Sequence, residues 1–178
     1  MKIIAFTGMP FAGKTEAVQI AHELGIPVVR MGDAVWAEVK QRGLALTDKN
    51  VGAVATEMRK RCGMDIWAQR TVEHLRSLNN TPCLVIDGIR NLEEVEYFKK
   101  EFGPCFVMIA VDASTSMRKQ RSLRRKRVDD TPHSFEERDK RELSWGLGEV
   151  LASADIIIPN DSTIRVFKKK VKQVLQHL

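Results

Sequence analysis

From Gly8 to Thr15 the chain runs Gly-Met-Pro-Phe-Ala-Gly-Lys-Thr. This matches the spacing G-x-x-x-x-G-K-[ST], and each fixed residue has a chemical reason to be there. Gly8 and Gly13 let the backbone turn its N–H groups inward around phosphate oxygens. Met9, Pro10, Phe11 and Ala12 fill the loop between them. Lys14 adds a mobile ammonium for β- and γ-phosphates, and the Thr15 hydroxyl is a ligand for Mg²⁺. Phosphate binding is the chemistry implied, with ATP and Mg²⁺ as expected ligands.

Other residues fit the same chemistry. Asp87 ends the apolar run Cys83-Leu-Val-Ile-Asp87. An acid in that place can hold Mg²⁺ through water, or cap a turn. Asp33 follows Gly32 and has three open roles: base, orienting group or helix cap. Arg90, Arg118, Arg121, Arg124, Arg125, Arg127, Arg138 and Arg141 crowd the second half. Phosphoryl transfer needs cations around the moving group more than it needs covalent help. Taken alone, the run Met117 to Arg127 is a solvated basic face or a nucleic-acid contact. His22, His74, His133 and His177 pair with no nucleophile or metal cluster and are assigned to surface or packing.

The elements that must position these groups follow from periodicity. Lys2 to Thr7 is a short apolar strand, and Glu16 to Leu24 continues as a helix stopped by Gly25 and Pro27. Ile26 to Met31 is a second strand, and Ala34 to Arg42 a helix. Thr47 or Asp48 caps a helix closed by Gly63. The next helix places Trp67, Thr71, His74, Leu75 and Leu78 on one face. Cys83 to Asp87 has the continuous apolar character of a strand buried on both faces. Asn91-Leu-Glu-Glu94 fits a capping box, so a structural role is expected for Glu94. Cys105 to Val111 and Asp155 to Ile158 are further strands. Ser134-Phe-Glu-Glu137 fits another capping box. The last helix turns Ile164, Phe167, Val171, Val174 and Leu178 inward. Strands alternating with helices predict an α/β fold with a parallel sheet. Ligands collect at the carboxyl ends of such strands, where Thr7, Asp33, Asp87, Asp112 and Asn160 fall.

The chain has 178 residues, 43% hydrophobic and 29% charged, which suits one soluble globular domain. No apolar run approaches the roughly 20 residues of a membrane span. The N-terminus enters a strand directly, so no leader is expected. Cys62, Cys83 and Cys105 are odd in number and far apart, which predicts buried small hydrophobes and a cytoplasmic setting. The net charge of +6 suits nucleic acid or small polyanions.

These motifs resemble the nucleoside monophosphate kinases, adenylate kinase above all, over nearly the whole chain. Met31-Gly-Asp-Ala34 resembles their Thr-Gly-Asp-Met, and Asp87-Gly-Ile-Arg90 their Asp-Gly-Phe-Pro-Arg. Arg121 and Arg125 resemble the lid pair. Arg127-Val-Asp-Asp130 with Arg138 resembles Arg-x-Asp-Asp…Arg. The chain is similar also to an archaeal group described as adenylate-kinase-related or dephospho-coenzyme-A-kinase-like. That group carries Met-Gly-Asp, Asp-Gly-Ile-Arg and Glu-Arg-Asp-x-Arg-Glu, here Glu137 to Glu142.

The resemblance implies a three-layer fold with a five-stranded parallel sheet in the order 2-3-1-4-5. It implies a core of residues 1–32, 79–121 and 138–178, a helical acceptor-binding insert over 33–78 and a short lid over 122–137. Gly8 to Thr15 would hold ATP. Arg90 would clamp the acceptor phosphate, and Arg121, Arg125, Arg127 and Arg138 would surround the transferring phosphoryl. Asn160 would lie near the ATP base. Trp36 stands where the family carries an arginine, with Arg30, Arg42 or Arg70 as possible replacements. Met31 replaces a base-reading hydroxyl, and Glu94 sits near a base-reading glutamine.

Three functions compete: a nucleoside monophosphate kinase; a dephospho-coenzyme A or other hydroxyl kinase with Asp33 as base; and an adenylate-kinase-like ATPase acting on RNA or ribosomes. The acceptor is thus a small phosphate- or hydroxyl-bearing molecule in the first two, and nucleic acid is a partner only in the third.

Overall fold

The computed structural model describes residues 1–76, 81–124 and 134–178. Five parallel strands form one sheet in the order β2-β3-β1-β4-β5. They are β1 (Lys2–Thr7), β2 (Val28–Arg30), β3 (Cys83–Asp87), β4 (Phe106–Asp112) and β5 (Ile156–Pro159). Central β1 pairs Phe6 with Asp87 on one side and with Ile109 on the other. The order is the expected one. The centre of the sheet is buried on both faces, which is why Ile3 to Phe6 in β1 and Leu84 to Ile86 in β3 are apolar without alternation.

Helices cover both faces. On one side α1 (Lys14–Glu23) and α9 (Ile164–His177) pack together over Ile4, Phe6, Val85 and Ile109. The other side carries α2 (Met31–Gln41), α3 (Asp48–Cys62), α4 (Ile66–Arg76), α5 (Leu92–Phe102) and α8 (Leu147–Ala152). Their core gathers Val39, Met58, Trp67, Leu84, Phe98 and Leu147. Burying side chains of this size contributes about 1.5–3 kcal/mol each. The helices α6 (Thr115–Arg124) and α7 (Ser134–Ser144) lie near the carboxyl edge of the sheet, and their charged faces meet through Arg118 and Asp139.

Several expectations need correction. β2 is only three residues long, and α2 already begins at Met31. Asp33 therefore sits inside the first turn and caps nothing; the cap position is Arg30, which makes no side-chain cap bond. Cys62 and Cys105 are exposed and Cys83 is half-buried. Cys105 falls in the 3-10 turn Gly103–Cys105 ahead of β4, and Cys62 in the last turn of α3. Partial burial pushes the Cys83 thiol up, away from reactivity. In α4 the inward face is Trp67, Ala68, Thr71, Val72 and Leu75, while His74 is exposed and Leu78 lies outside the described residues. In α9 the buried residues are Phe167, Val171 and Leu175, and Ile164 is exposed.

The caps follow their residue types. Thr47 accepts the Asn50 N–H, and Asn91 accepts the Glu94 N–H at 2.8 Å. Glu94 does not return the bond to Asn91, as a full capping box would. Its carboxylate accepts the Arg90 N–H at 2.7 Å and takes Arg59 at 2.9 Å. No helix among the described residues is long and apolar enough to cross a membrane.

Candidate active site

The loop after β1 turns back on itself before α1. Phe11 at φ 63° and Gly13 at φ 108° take left-handed conformations there. Such a conformation is unusual for a bulky residue and marks a backbone held for a purpose. A Cβ on Gly13 would collide with the Asn160 side chain, and one on Gly8 would lie 2.8 Å from the Val111 carbonyl. Both positions therefore need glycine. The N–H groups of Lys14 and Thr15 open the first turn of α1, where no intrahelical acceptor exists. This cradle of unpaired N–H groups, with Lys14 beside it, fits a polyphosphate.

Lys14 Nζ is ion-paired with Asp87 at the end of β3. Burial pushes the Lys14 ammonium below its ordinary value, against the opposing pull of Asp87. One Asp87 oxygen holds Lys14, and the exposed Thr15 hydroxyl sits in the same cavity. Among the described residues no cluster of His, Cys, Asp or Glu could hold a metal alone. Thr15 and Asp87 are the oxygen-bearing side chains beside the loop that could stand next to a Mg²⁺ held chiefly by phosphate and water.

Arginines brace this loop from three directions. Arg121 on α6 donates to the carbonyls of Ala12 (3.0 Å), Phe11 (3.4 Å) and Asn160 (2.6 Å). Asn160 is buried beneath the loop, and its amide donates to the Ala12 carbonyl at 2.7 Å. It lines neither of the two cavities at this site. Arg118, 4% exposed, donates to the Pro10 carbonyl and forms a two-pronged pair with Asp139 at 2.8 and 2.6 Å. Arg90 donates to the Gly8 carbonyl at 3.2 Å, and its Nε lies 3.1 Å from Glu142. Arg138 pairs with Asp48 at 2.8 Å and covers the Phe11 ring. Arg125 and Arg127 lie outside the described residues.

Three residues of this bracing received no role of their own from the sequence: Arg118, named only among the arginines of its run, and Asp139 and Glu142, both within the Glu-Arg-Asp-x-Arg-Glu stretch. Four of its residues, Arg138, Asp139, Arg141 and Glu142, share the inward side of α7, while Glu137 and Lys140 are exposed. Asp139 takes Arg118, Arg138 and Arg141 take Asp48, and Glu142 takes Arg90. The run from Met117 is therefore not a uniform solvated face, since Arg118 and Arg121 turn inward to the loop.

Two cavities open at the site. The outer one, about 670 Å³, runs along the loop past Phe11, Gly13, Lys14, Arg121 and Arg138. The inner one, about 470 Å³, lies against α2 and α3 and includes Arg30, Met31, Asp33, Arg59 and Trp145. They share Lys14, Thr15, Trp36, Asp48, Val51, Arg90 and Glu142. Among the cations considered as replacements at Trp36, only Arg30 reaches the inner cavity. Arg42 and Arg70 are both held by Glu38, on the far side of α2. Asp33 lines the inner cavity and makes no hydrogen bond or ion pair with a described residue. Glu94 is fully buried, and burial pushes its carboxyl up against the pull of Arg59.

Comparison with known proteins agrees with this fold. Residues 7–136 match a family model described as an AAA domain. Among solved structures, TT1252 from Thermus thermophilus matches at TM-score 0.65 and 20% identity, covering 99% of this chain and 97% of that one. A shikimate kinase from Bacteroides thetaiotaomicron matches at 0.63 and 16%, covering 99% and 96%. A gluconokinase from Sinorhizobium meliloti matches at 0.62 and 17%, covering 99% and 92%. These likenesses show a P-loop kinase fold. The chain is 46% identical over 179 residues to a UPF0200 protein of Methanosarcina barkeri, covering 99% of this chain and 96% of the relative. It is also 46% identical to a UPF0200/UPF0201 protein of Archaeoglobus fulgidus, covering all of this chain and 56% of the relative. On that likeness, the chain belongs to the UPF0200 family.

Proposed function

We propose that the protein transfers the γ-phosphoryl group of ATP to a small acceptor, a nucleoside monophosphate. The observation carrying this reading is the meeting of two cavities at Lys14 and Arg90. A hydrolase needs room for one nucleotide and a water; a two-lobed cleft has room for a donor and an acceptor. Bound ATP would supply the phosphoryl group, and Mg²⁺ would neutralise charge on its oxygens. Gly8 to Thr15 would cradle the phosphates, with Thr15 and Asp87 beside the metal. Arg121 and Asn160 would keep the loop in shape from behind.

In the transfer, the bond from the γ-phosphorus to its bridging oxygen breaks and one to an acceptor oxygen forms. Lys14, Arg90 and Arg138 line the outer cavity and would face the negative charge that builds there, and prepaid positioning of such cations is the main lever on this reaction. A phosphate acceptor is already ionised at neutral pH, so no base is required. Residues 33–78 would supply the acceptor side.

One observation favours a second reading. Asp33, exposed and with no partner among the described residues, lines the inner cavity. A hydroxyl acceptor, as in dephospho-coenzyme A, would need such a base. Two of the fold neighbours are named shikimate kinase and gluconokinase, neither a nucleotide kinase by name.

The test is an acceptor screen: protein with Mg-ATP and AMP, CMP, UMP, GMP, dephospho-coenzyme A or nothing. ADP release that depends on a monophosphate is expected. Release only with dephospho-coenzyme A would select the second reading, and equal release without acceptor would replace both with an ATPase.

A further inference from the structure

We propose that the outward face of α9 docks the phosphate backbone of a duplex nucleic acid. No residue of α9 lines either cavity of the cleft, so the inference does not rest on the kinase reading.

From Ser162 to Leu178 the chain holds Arg165, Lys168, Lys169, Lys170 and Lys172 and no Asp or Glu. These five cations account for all but one unit of the net charge of +6, so the rest of the chain is close to neutral. The helix buries Phe167, Val171 and Leu175 against α1 and the sheet. Arg165, Lys169 and Lys172, spaced four and three residues apart, share the opposite side, and all three are exposed. Gln173 and Gln176 continue that side. Among the described residues none of these three cations has an ion pair. Of the five only Lys168 has one, with Glu16 at 3.3 Å.

The arrangement works against the helix itself. Arg165 stands in the first turn, at the positive end of the helix dipole, where no acid offsets it. Arg165 and Lys169 are like charges four residues apart, as are Lys168 and Lys172, and such pairs repel along a helix. A face that only had to be soluble would mix its signs, as α5 does with exposed Glu93, Glu96, Lys99 and Lys100. Cations kept at the expense of local stability mark a surface that meets negative charge from outside.

The residue types narrow the partner. Lysine is depleted at the centre of protein–protein interfaces, which argues against an acidic protein. A helix lying on a membrane needs an apolar side free for the lipid. In α9 that side is packed into the core, and the exposed Ile164 and Val166 are confined to its first turn. Single strands are held by stacking of bases on aromatic rings, and the one aromatic residue of α9, Phe167, is buried. The backbone of a duplex asks only for cations and polar side chains and is met without reading sequence. The three exposed cations span about 10 Å at a rise of about 1.5 Å per residue. A duplex presents one phosphate charge about every 1.7 Å along its axis, so the stripe meets several. The basic run from Met117 is not this surface, since its Arg118 and Arg121 turn in to the phosphate loop.

Fluorescence anisotropy tests this with labelled RNA and DNA duplexes and with single strands of the same sequence. Both duplexes should bind, and a preference between them would name the source of the backbone. With three phosphates contacted, binding should weaken about 40-fold between about 50 mM and about 200 mM salt. The triple variant Arg165→Gln/Lys169→Gln/Lys172→Gln should lose that dependence, its log–log slope becoming shallower by about 3. Its Tm should be no lower than that of the wild type, because like-charge repulsion is relieved. A control of equal net charge, Lys40→Gln/Lys99→Gln/Lys100→Gln on α2 and α5, should bind as the wild type does. Equal loss in the control would assign the binding to overall charge and overturn the proposal. No duplex binding at about 50 mM salt would overturn it as well. So would single strands binding as tightly as duplexes, or capture by vesicles of anionic lipid in place of the duplex.

Discussion

Gly52, in the middle of α3, faces the guanidinium of Arg141 so closely that a Cβ there would lie 2.9 Å from its Cζ. Glycine inside a helix costs about 0.5–1 kcal/mol relative to alanine. Here the missing side chain lets Arg141 cross α3, reach Asp48 at 3.0 Å and lie against Trp145. A Cβ there would push aside the far end of a flexible side chain, so Gly52→Ala should change stability little, the helix gain of alanine offsetting the loosened Arg141–Asp48 pair. A Tm within about 2–4 °C of wild type, the shift of about 1 kcal/mol for a chain of this size, is expected. Acceptor binding should weaken nonetheless, since Arg141 lines the inner cavity and loses its position.

Lys14 gives a pH prediction. Its folded pKa is lowered, first by burial, from 10.5. The charged form therefore costs the apo fold stability at neutral pH, and that cost fades as pH rises through the folded pKa toward 10.5. ATP phosphates need the charge. ATP affinity should fall on the alkaline side before pH 10.5 is reached, whereas Lys14→Ala should bind weakly at every pH. In turnover that variant should lose about 10²–10³-fold in kcat/KM. Calorimetric titration across pH measures the first part, and a parallel, equally steep decline in the variant would refute it.

Asp33 separates the acceptor classes. With a nucleoside monophosphate, Asp33→Asn should leave kcat largely intact, because the attacking oxygen needs no base. A loss of about 10²–10⁴-fold in kcat would instead identify general-base work on a hydroxyl.

Glu38 ties α2 to α4 through Arg70 and braces the end of α2 through Arg42, both at 2.8 Å. Hydrogen bonds from Arg70, then from Arg42, hold its carboxyl below the usual 4.5. A depressed acid stabilises the fold above its unfolded pKa and loses that contribution as pH falls through the folded one. The Tm gap between wild type and Glu38→Gln should be open at pH 7 and close progressively below about pH 4.5. A gap constant down to pH 3 would contradict the assignment.

Asp139 neutralises Arg118, which holds the Pro10 carbonyl. Asp139→Ala leaves a buried guanidinium with no carboxylate, a change that costs about 3–5 kcal/mol. Because Arg118 supports the loop, KM for ATP should rise as well. Asp139→Glu should recover part of both; a KM for ATP unchanged in the alanine variant would detach this pair from the loop.

The fold and the phosphate loop were legible because local chemistry dictates them. Gly8 to Thr15 between an apolar strand and a helix permits few arrangements, since each glycine answers a steric demand met within the loop or just beyond it. The strand order 2-3-1-4-5 came from resemblance, and the sheet bears it out. Where the sequence misled, short-range patterns were overridden. Cys105 follows Gly-Pro and falls in a turn although it borders an apolar run. Asp33 looks like a cap after Gly32, yet α2 starts two residues earlier, because β2 ends as soon as its pairing with β3 stops at Arg30.

By itself, then, the sequence determined the phosphate cradle, the parallel sheet and the wealth of arginine near them. Only the tertiary structure decided which arginine does what. A guanidinium reaches far enough to choose among carbonyls and carboxylates on other elements, so spacing in the chain does not assign its partner. Packing placed Arg118 and Arg121 under the loop, set Arg90 between the two cavities, and laid Arg59 over Trp145 and against Glu94, both far from it in the chain. That long-range choice of partners is what braces the phosphate loop from other elements and joins a second cavity to it.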